Sequence, residues 1–407
     1  MKSPVLSILF LLISVTLLAV PNDFRFRHFS VEDGLSSNSV RAIMQDKYGF
    51  LWIGTEEGLN RYDGIMIKSY SICPQAAGKY ISSLYGTKKN IWIGTDEGIY
   101  IYAYATETFT YFDLTTPNNV RITSIVNHIL QDKDGNLWFS TNGQGLFRYN
   151  LSKNYLEQYE FTSAFGIVAS TMADSDNQIW ALTNQGESGV YKLNKAENKF
   201  EPFGLLYNAG NHHSQALAML EDSEQTLWLG TWECGLQKID KYTRQTTTYL
   251  HPTDGKGVTH IHSLMEYAPH QLLIGSDDGL LLFNTLTEEY KLFTENETVP
   301  NSLSNRFVYP IIKDREGGIW IGTYYGGINY ISPNAEQFES FSHSRLYNSI
   351  NGNVIGRFCE DAHGQIWIAS DDGGLNRYSP KDRKFVYYLP AGHKHSTFNI
   401  QHSLFSL

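Results

Sequence analysis

Cysteine is scarce in this 407-residue chain: three residues, Cys73, Cys234 and Cys359, lie far apart. An odd number without paired spacing excludes a disulfide framework and a paired-cysteine zinc site. Long apolar runs are missing after residue 20, so nothing beyond the N-terminus is built to cross a membrane as a helix. Basic charge is in deficit. The 32 Lys and Arg against 42 Asp and Glu leave a net charge of −10, which argues against nucleic acid as a partner. Walker loop, nucleophile elbow and kinase signature are all absent from the string, so no cofactor is implied and no catalytic residue stands out.

What the chain has in quantity is repetition. The phrase Leu51-Trp52-Ile53-Gly54-Thr55 returns as Ile91-Trp92-Ile93-Gly94-Thr95, Leu137-Trp138-Phe139-Ser140-Thr141 and Ile179-Trp180-Ala181-Leu182-Thr183. Later copies are Leu227-Trp228-Leu229-Gly230-Thr231, Leu272-Leu273-Ile274-Gly275-Ser276, Ile319-Trp320-Ile321-Gly322-Thr323 and Ile366-Trp367-Ile368-Ala369-Ser370. The Trp slot recurs at steps of 40, 46, 42, 48, 45, 47 and 47 residues. A period of this size marks a repeat architecture.

Each repeat reads as four short strands separated by Gly, Asn and Asp turns. In the third, Ile125–Gln131, Leu137–Thr141, Leu146–Tyr149 and Leu156–Phe161 alternate with such turns, the pattern of an antiparallel meander. Four-stranded units that repeat radially make a β-propeller, so the fold class is all-β. The Trp is expected to pack between blades, and the Gly two residues after it to allow close approach. Acidic turns such as Asp132-Lys133-Asp134-Gly135-Asn136 invite a calcium reading, but the chain enters the next strand where a closing Glu ligand would be needed. His260 and His262 similarly lack a third zinc ligand. No metal site is expected.

The segment Phe24-Arg25-Phe26-Arg27-His28-Phe29 resembles a fourth strand with no blade of its own. It can complete the blade begun by Phe307–Ile331 and so close the ring without exposed edges. The expected division is therefore residues 22–332 as a seven-bladed propeller and residues 333–407 as the first blade, and part of the next, of a second and truncated propeller. An eight-bladed ring is the alternative. Residues 1–21, with the apolar stretch Val5–Val20 behind Lys2, read as a signal peptide or N-terminal anchor. The expected location is periplasmic, with a possible tether to the inner membrane.

Turns between first and second strands are monotonous, whereas second-to-third turns and the links between repeats are diverse and share one face. Binding residues concentrate on variable loops carried by a rigid scaffold. The candidate ligand-binding set is therefore Trp232, Glu233, Tyr324, Tyr325, Asp277, Asp278, Glu56, Asp96, Asn142 and Gln144 from those turns, with His212 and His213 from the link into the fifth repeat. Trp232, Tyr324 and Tyr325 suggest an aromatic platform, and the surrounding carboxylates and amides suit the hydroxyls of a sugar ring.

The string Val40-x-x-Ile43-x-Gln45-Asp46-x-x-Gly49-Phe50-Leu51-Trp52-Ile53-Gly54-Thr55-x-x-Gly58-Leu59-Asn60-Arg61-Tyr62-Asp63-Gly64 resembles the two-component regulator propeller repeat. Phe29-Ser30-Val31-Glu32-Asp33-Gly34-Leu35-Ser36 looks like that family's usual opening. The likeness extends over residues 24–407. It implies the periplasmic sensor region of a hybrid two-component system histidine kinase, where two seven-bladed propellers precede a membrane helix and a kinase core. Implied partners are an oligosaccharide or other small polar ligand and, in a full-length parent, a second copy. Membrane contact is expected only through the N-terminal segment or parts beyond this chain, and no enzyme activity is expected of the chain itself. The alternatives are a protein-interaction propeller and a polysaccharide-active propeller enzyme.

Overall fold

The computed structural model describes residues 24–389, apart from 73–78, 162–165, 184–188, 205–214, 253–256, 297–298, 300, 334–340, 342 and 344–347. The N-terminal apolar stretch, Cys73, His212 and His213 lie outside the described residues. Of the two cysteines within them, Cys234 is buried and Cys359 is exposed.

Eight four-stranded antiparallel sheets follow one another, as the repeat period demands. The first is Val40–Gln45, Leu51–Thr55, Gly58–Tyr62 and Ile67–Tyr70. Short strands joined by tight turns leave the chain little choice but a meander. The seventh sheet takes Val308–Lys313, Ile319–Thr323 and Ile328–Ile331 from its own repeat and Arg27–Phe29 from the N-terminus. Its register is Arg27↔Tyr330, His28↔Asn329 and Phe29↔Ile328. The eighth is Ile355–Glu360, Ile366–Ser370, Gly374–Ser379 and Lys384–Tyr388.

First strands touch first strands in succession, and the seventh touches the first, so these strands line a common axis. Close approach across five of the seams explains the glycine two residues after the Trp slot. A Cβ on Gly54 would lie 2.6 Å from Ile81, one on Gly230 2.5 Å from Ile261, and one on Gly275 2.8 Å from Val308. The same reach from Gly322 lands on Val40 at 2.7 Å, which joins the last ring sheet to the first. The rim of first-to-second turns repeats the message. Ser223 N donates to Glu266 Oε2 at 2.9 Å across the fifth-to-sixth seam, and Arg315 N donates to Gln45 Oε1 at 3.0 Å across the seventh-to-first.

The Trp of six ring sheets, and Leu273 in the sixth, is buried at the seam. Trp52 packs with Ile81, Ile91 and Tyr102, and Trp138 with Val168, Ile179 and Tyr191. The acidic turns have a role that the sequence reading did not assign. Asp46, Asp132, Asp174, Asp222, Asp314 and Asp361 each accept the indole N–H of the Trp six residues on, at 2.8, 2.8, 3.0, 2.7, 2.8 and 2.8 Å. The other carboxylate oxygen takes backbone N–H groups of the turn, as Asp222 Oδ1 does from Glu224 and Thr226. A buried indole N–H needs an acceptor, and a charged one is worth about 1.5–3 kcal/mol. The carboxylates that suggested calcium ligation are occupied in holding the core. In the second sheet the turn is one residue shorter, with Thr87 N bonded to Asn90 O, and the Trp92 Nε1 is buried without a partner.

Candidate functional site

Six first strands open on a fully buried aliphatic residue, Val40, Ile81, Val126, Val168, Ala216 and Val308, and Ile261 holds the same slot just ahead of the sixth sheet's first strand; all seven are 0 % exposed. The next residue breaks the repeat: Arg41, Ser82, Asn127, Ala169, Leu217, His262 and Tyr309. In six of these seven strands the register against the second strand shifts at this place, as between Val40 and Ala42 or Ile81 and Ser83. A β-bulge inserts an unpaired residue and re-aims its side chain. The fold thus presents one variable side chain per sheet from the strands that line the axis. Ser82 and Asn127 use theirs to bond Val126 O and Val168 O of the following sheet, at 2.8 and 2.9 Å. Arg41, His262 and Tyr309 instead join a belt of polar and aromatic groups.

The belt begins at Trp232, whose ring lies 3.8 Å from that of His260. Asp277 engages two imidazoles: Oδ2 takes His260 Nδ1, and Oδ1 takes His262 Nε2 at 2.8 Å. Burial works to raise the Asp277 carboxyl, but its bonds to His262 and His260 outweigh it and hold it below its ordinary value. His262 stacks on Tyr309 at 4.2 Å with 12° between the planes. Beyond it, Arg41 lies over Tyr324 at 4.3 Å, Tyr309 at 4.8 Å and Tyr80 at 5.8 Å. The guanidinium Nε and Nη2 both donate to Glu56 Oε1, at 3.2 and 2.6 Å. Burial would lower Arg41, yet Tyr80 and Glu56 prevail and keep it raised. Burial also raises the Tyr80, Tyr309 and Tyr324 hydroxyls, so they stand neutral as donors. Lys79, next to Tyr80 in the chain, is ion-paired with Glu97.

Of the sequence-derived set, Trp232, Asp277, Tyr324 and Glu56 come together here. Tyr325 lies at right angles to Tyr324, 4.4 Å away, and is 64 % exposed, so the three aromatic rings do not form one flat platform. His260 against Trp232 and Arg41 against Tyr324 occupy ring surface that such a platform would offer. Asp278 braces a link, accepting from Thr259 N and Oγ1 at 2.8 and 3.0 Å. Gln144 likewise fixes a loop through Thr123 N, Ser124 N and Arg121 O. Asn142 pairs with Ile167 through backbone, while Glu233 and Asp96 are exposed. His212 and His213 fall outside the described residues. Arg41, Tyr80 and Tyr309 were not in the set, and His260 and His262 entered the sequence reading only as zinc ligands. The signal for three of the five was available: the single slot after the buried aliphatic where an otherwise repetitive strand changes residue type.

Comparison with known proteins agrees with this architecture. The two-component regulator propeller family matches residues 34–57, 121–143, 302–325 and 349–372. A 68-residue stretch is 46% identical to histidine kinase P4 of Formosa agariphila, 17% of this chain and 5% of that kinase. The solved extracellular domain assigned to a hybrid two component system of B. thetaiotaomicron superposes with a TM-score of 0.65 at 26% identity. That match covers 90% of this chain and 49% of the solved one, so the chain spans about half the length of that relative. Virginiamycin B lyase of Staphylococcus aureus shares the fold at 15% identity, TM-score 0.60, over 76% of this chain and 99% of its own. Fold, repeat string and match positions converge: four of the repeats match the two-component regulator propeller family, at the positions where the sheets recur.

Proposed function

We propose that this chain is a ligand-sensing propeller of a two-component signalling system, working in the periplasm, and that its ligand is a glycan fragment or similar small polyol. The observation that carries the reading is the belt from Trp232 to Tyr80. There the bulged Arg41 and Tyr309 of the first and seventh sheets meet repeat-breaking groups of the fifth, sixth and second. Its carboxylates are already matched by His260, His262 and Arg41, and its tyrosines stay neutral, so it offers fixed donors and acceptors beside aromatic surface. That composition recognises hydroxyl groups on a ring with an apolar face. An extracellular domain of a hybrid two component system among the structural relatives supports that setting. Among the described residues no helix is long and apolar enough to cross a membrane.

In this reading residues 22–332 are the sensor ring and residues 333–407 open a second propeller, with signalling passed on by a paired copy in a longer parent. Calorimetric titration of the purified chain against defined plant, host and microbial oligosaccharides tests it. Saturable binding of one class of fragment is expected, weakened at least tenfold, about 1.4 kcal/mol, by Trp232→Ala or Arg41→Ala. Binding that ignores both substitutions would move the site off the belt. A chain that binds none of the panel would shift the reading to a protein partner.

A further inference from the structure

On the opposite rim, two neighbouring seams of the ring share a register but not a filling. In the third sheet Arg148 faces Glu157, and in the fourth Lys192 faces Glu201. Arg148 Nη2 donates to Glu157 Oε2 at 2.5 Å. Asn198, at the tip of the fourth sheet's outer turn, closes that seam. Its Nδ2 donates to Glu157 Oε1 at 2.7 Å, and its Oδ1 accepts from the Tyr159 hydroxyl at 2.7 Å.

Every one of these contacts is replaced in the seam between the fourth and fifth sheets. Glu201 Oε1 accepts from Asn194 Nδ2 at 2.8 Å and leaves Lys192 without an ion pair. Phe203 stands where Tyr159 did and has no hydroxyl. Arg244, the counterpart of Asn198 with the same left-handed backbone (φ 62 against 53), lies 5.1 Å over the Phe203 ring. The result is a cavity of about 370 Å³ lined by Lys192, Lys195, Arg244, Glu201 and Phe203, among others. None of the three cations forms an ion pair among the described residues. The next cation along, Lys241, is matched twice over by Asp176 and Glu221, so those carboxylates are already engaged. Three unmatched cations around one cavity are conspicuous in a chain of net charge −10. Three cations against the one carboxylate of Glu201, itself bonded to Asn194, leave the cleft net positive; such a cleft concentrates anions, and charge-assisted hydrogen bonds to an oxyanion are the strong kind.

We propose that the seam between the fourth and fifth sheets binds a small oxyanion-bearing solute, a carboxylate, sulfate or phosphate group held among Lys192, Lys195 and Arg244. The site is on the rim of outer turns, away from Trp232, and does not depend on the glycan reading of the belt.

The test uses the whole chain with three probes, sodium galacturonate, sodium sulfate and sodium phosphate, against sodium chloride at matched ionic strength. Calorimetry and thermal melting should show saturable binding of at least one probe, which names the group. Lys195→Gln/Arg244→Gln should weaken that binding at least tenfold while its ligand-free melting stays that of the parent, since both residues are exposed. Arg244→Lys should retain part of it, and Trp232→Ala all of it. An equal shift from chloride, no saturable binding of any probe, or binding unchanged in the double variant would each overturn the assignment.

Discussion

The first and eighth sheets carry nearly the same sentence, Leu51-Trp52-Ile53-Gly54-Thr55 and Ile366-Trp367-Ile368-Ala369-Ser370, in very different surroundings. In the first sheet all five of these residues are buried; in the eighth, four of the five are not. The innermost strand Ile355–Glu360 is exposed along its whole length, with Phe358 at 76 %, while no residue of Val40–Gln45 is exposed and half of them are buried. Both sheets nevertheless have four strands, the same bulge and the same Asp-to-indole bond. A blade's internal hydrogen bonding is thus local, and its hydrophobic core belongs to the seam with its neighbour. This is the behaviour of a repeat array, where stability is a sum of unit and interface contributions.

The largest expected effect follows directly. Trp52→Ala removes a side chain 1 % exposed between two sheets and should cost about 3–5 kcal/mol in equilibrium unfolding. Trp367→Ala removes the same group from a slot that is only half-buried among the described residues, and should cost about 1–2 kcal/mol, well under half as much. Hydrogen exchange resolved by peptide would locate the first loss in the ring and the second in residues 355–388. Equal costs would mean that the blade, not the seam, holds the core.

Seam packing can be exchanged as well as removed. Most ring sheets set a glycine against a branched aliphatic, as Gly54 against Ile81 and Gly322 against Val40. Between the fourth and fifth sheets the sizes are reversed, with Leu182 packed in one cluster with Ala216, both fully buried. Leu182→Gly should cost about 3–5 kcal/mol, and adding Ala216→Val should recover about 1–2 kcal/mol by restoring the usual pairing. A double-mutant cycle in urea measures the coupling. Additive losses would show that the two residues are not complementary.

The sequence made the sheets, the closing N-terminal strand and the buried Trp legible because each is periodic, and periodicity needs no knowledge of neighbours. The site was half legible. Trp232, Glu56, Asp277 and Tyr324 sit in turns that visibly vary, whereas Arg41, Tyr80 and Tyr309 sit in or beside strands that look like core. Only the bulge, a feature of register and not of residue type, turns Arg41 and Tyr309 out of the ladder. Asp278 and Gln144 vary for a different reason: they fasten links of differing length, as their bonds to Thr259 and Ser124 show. Variation alone does not separate a ligand contact from a loop brace. The partner of each side chain does.

The smallest effect sharpens what the acidic turns contribute within the ring. Trp228 and Trp92 occupy equivalent slots, 1 and 3 % exposed, but the Trp228 indole donates to Asp222 at 2.7 Å while Trp92 Nε1 has no acceptor. Replacing either by Phe loses similar apolar area. Trp228→Phe also takes the indole donor from the half-buried Asp222 carboxylate, whereas Trp92→Phe removes a buried donor that has no partner among the described residues. Leaving a buried polar group unmatched costs about 1–3 kcal/mol, so Trp228→Phe should be the more destabilising by roughly that amount. Thermal melts of the two variants at one pH decide it. If Trp92→Phe proved as costly, the indole bond would count for little and the six aspartates would act through the backbone N–H groups of their turns alone.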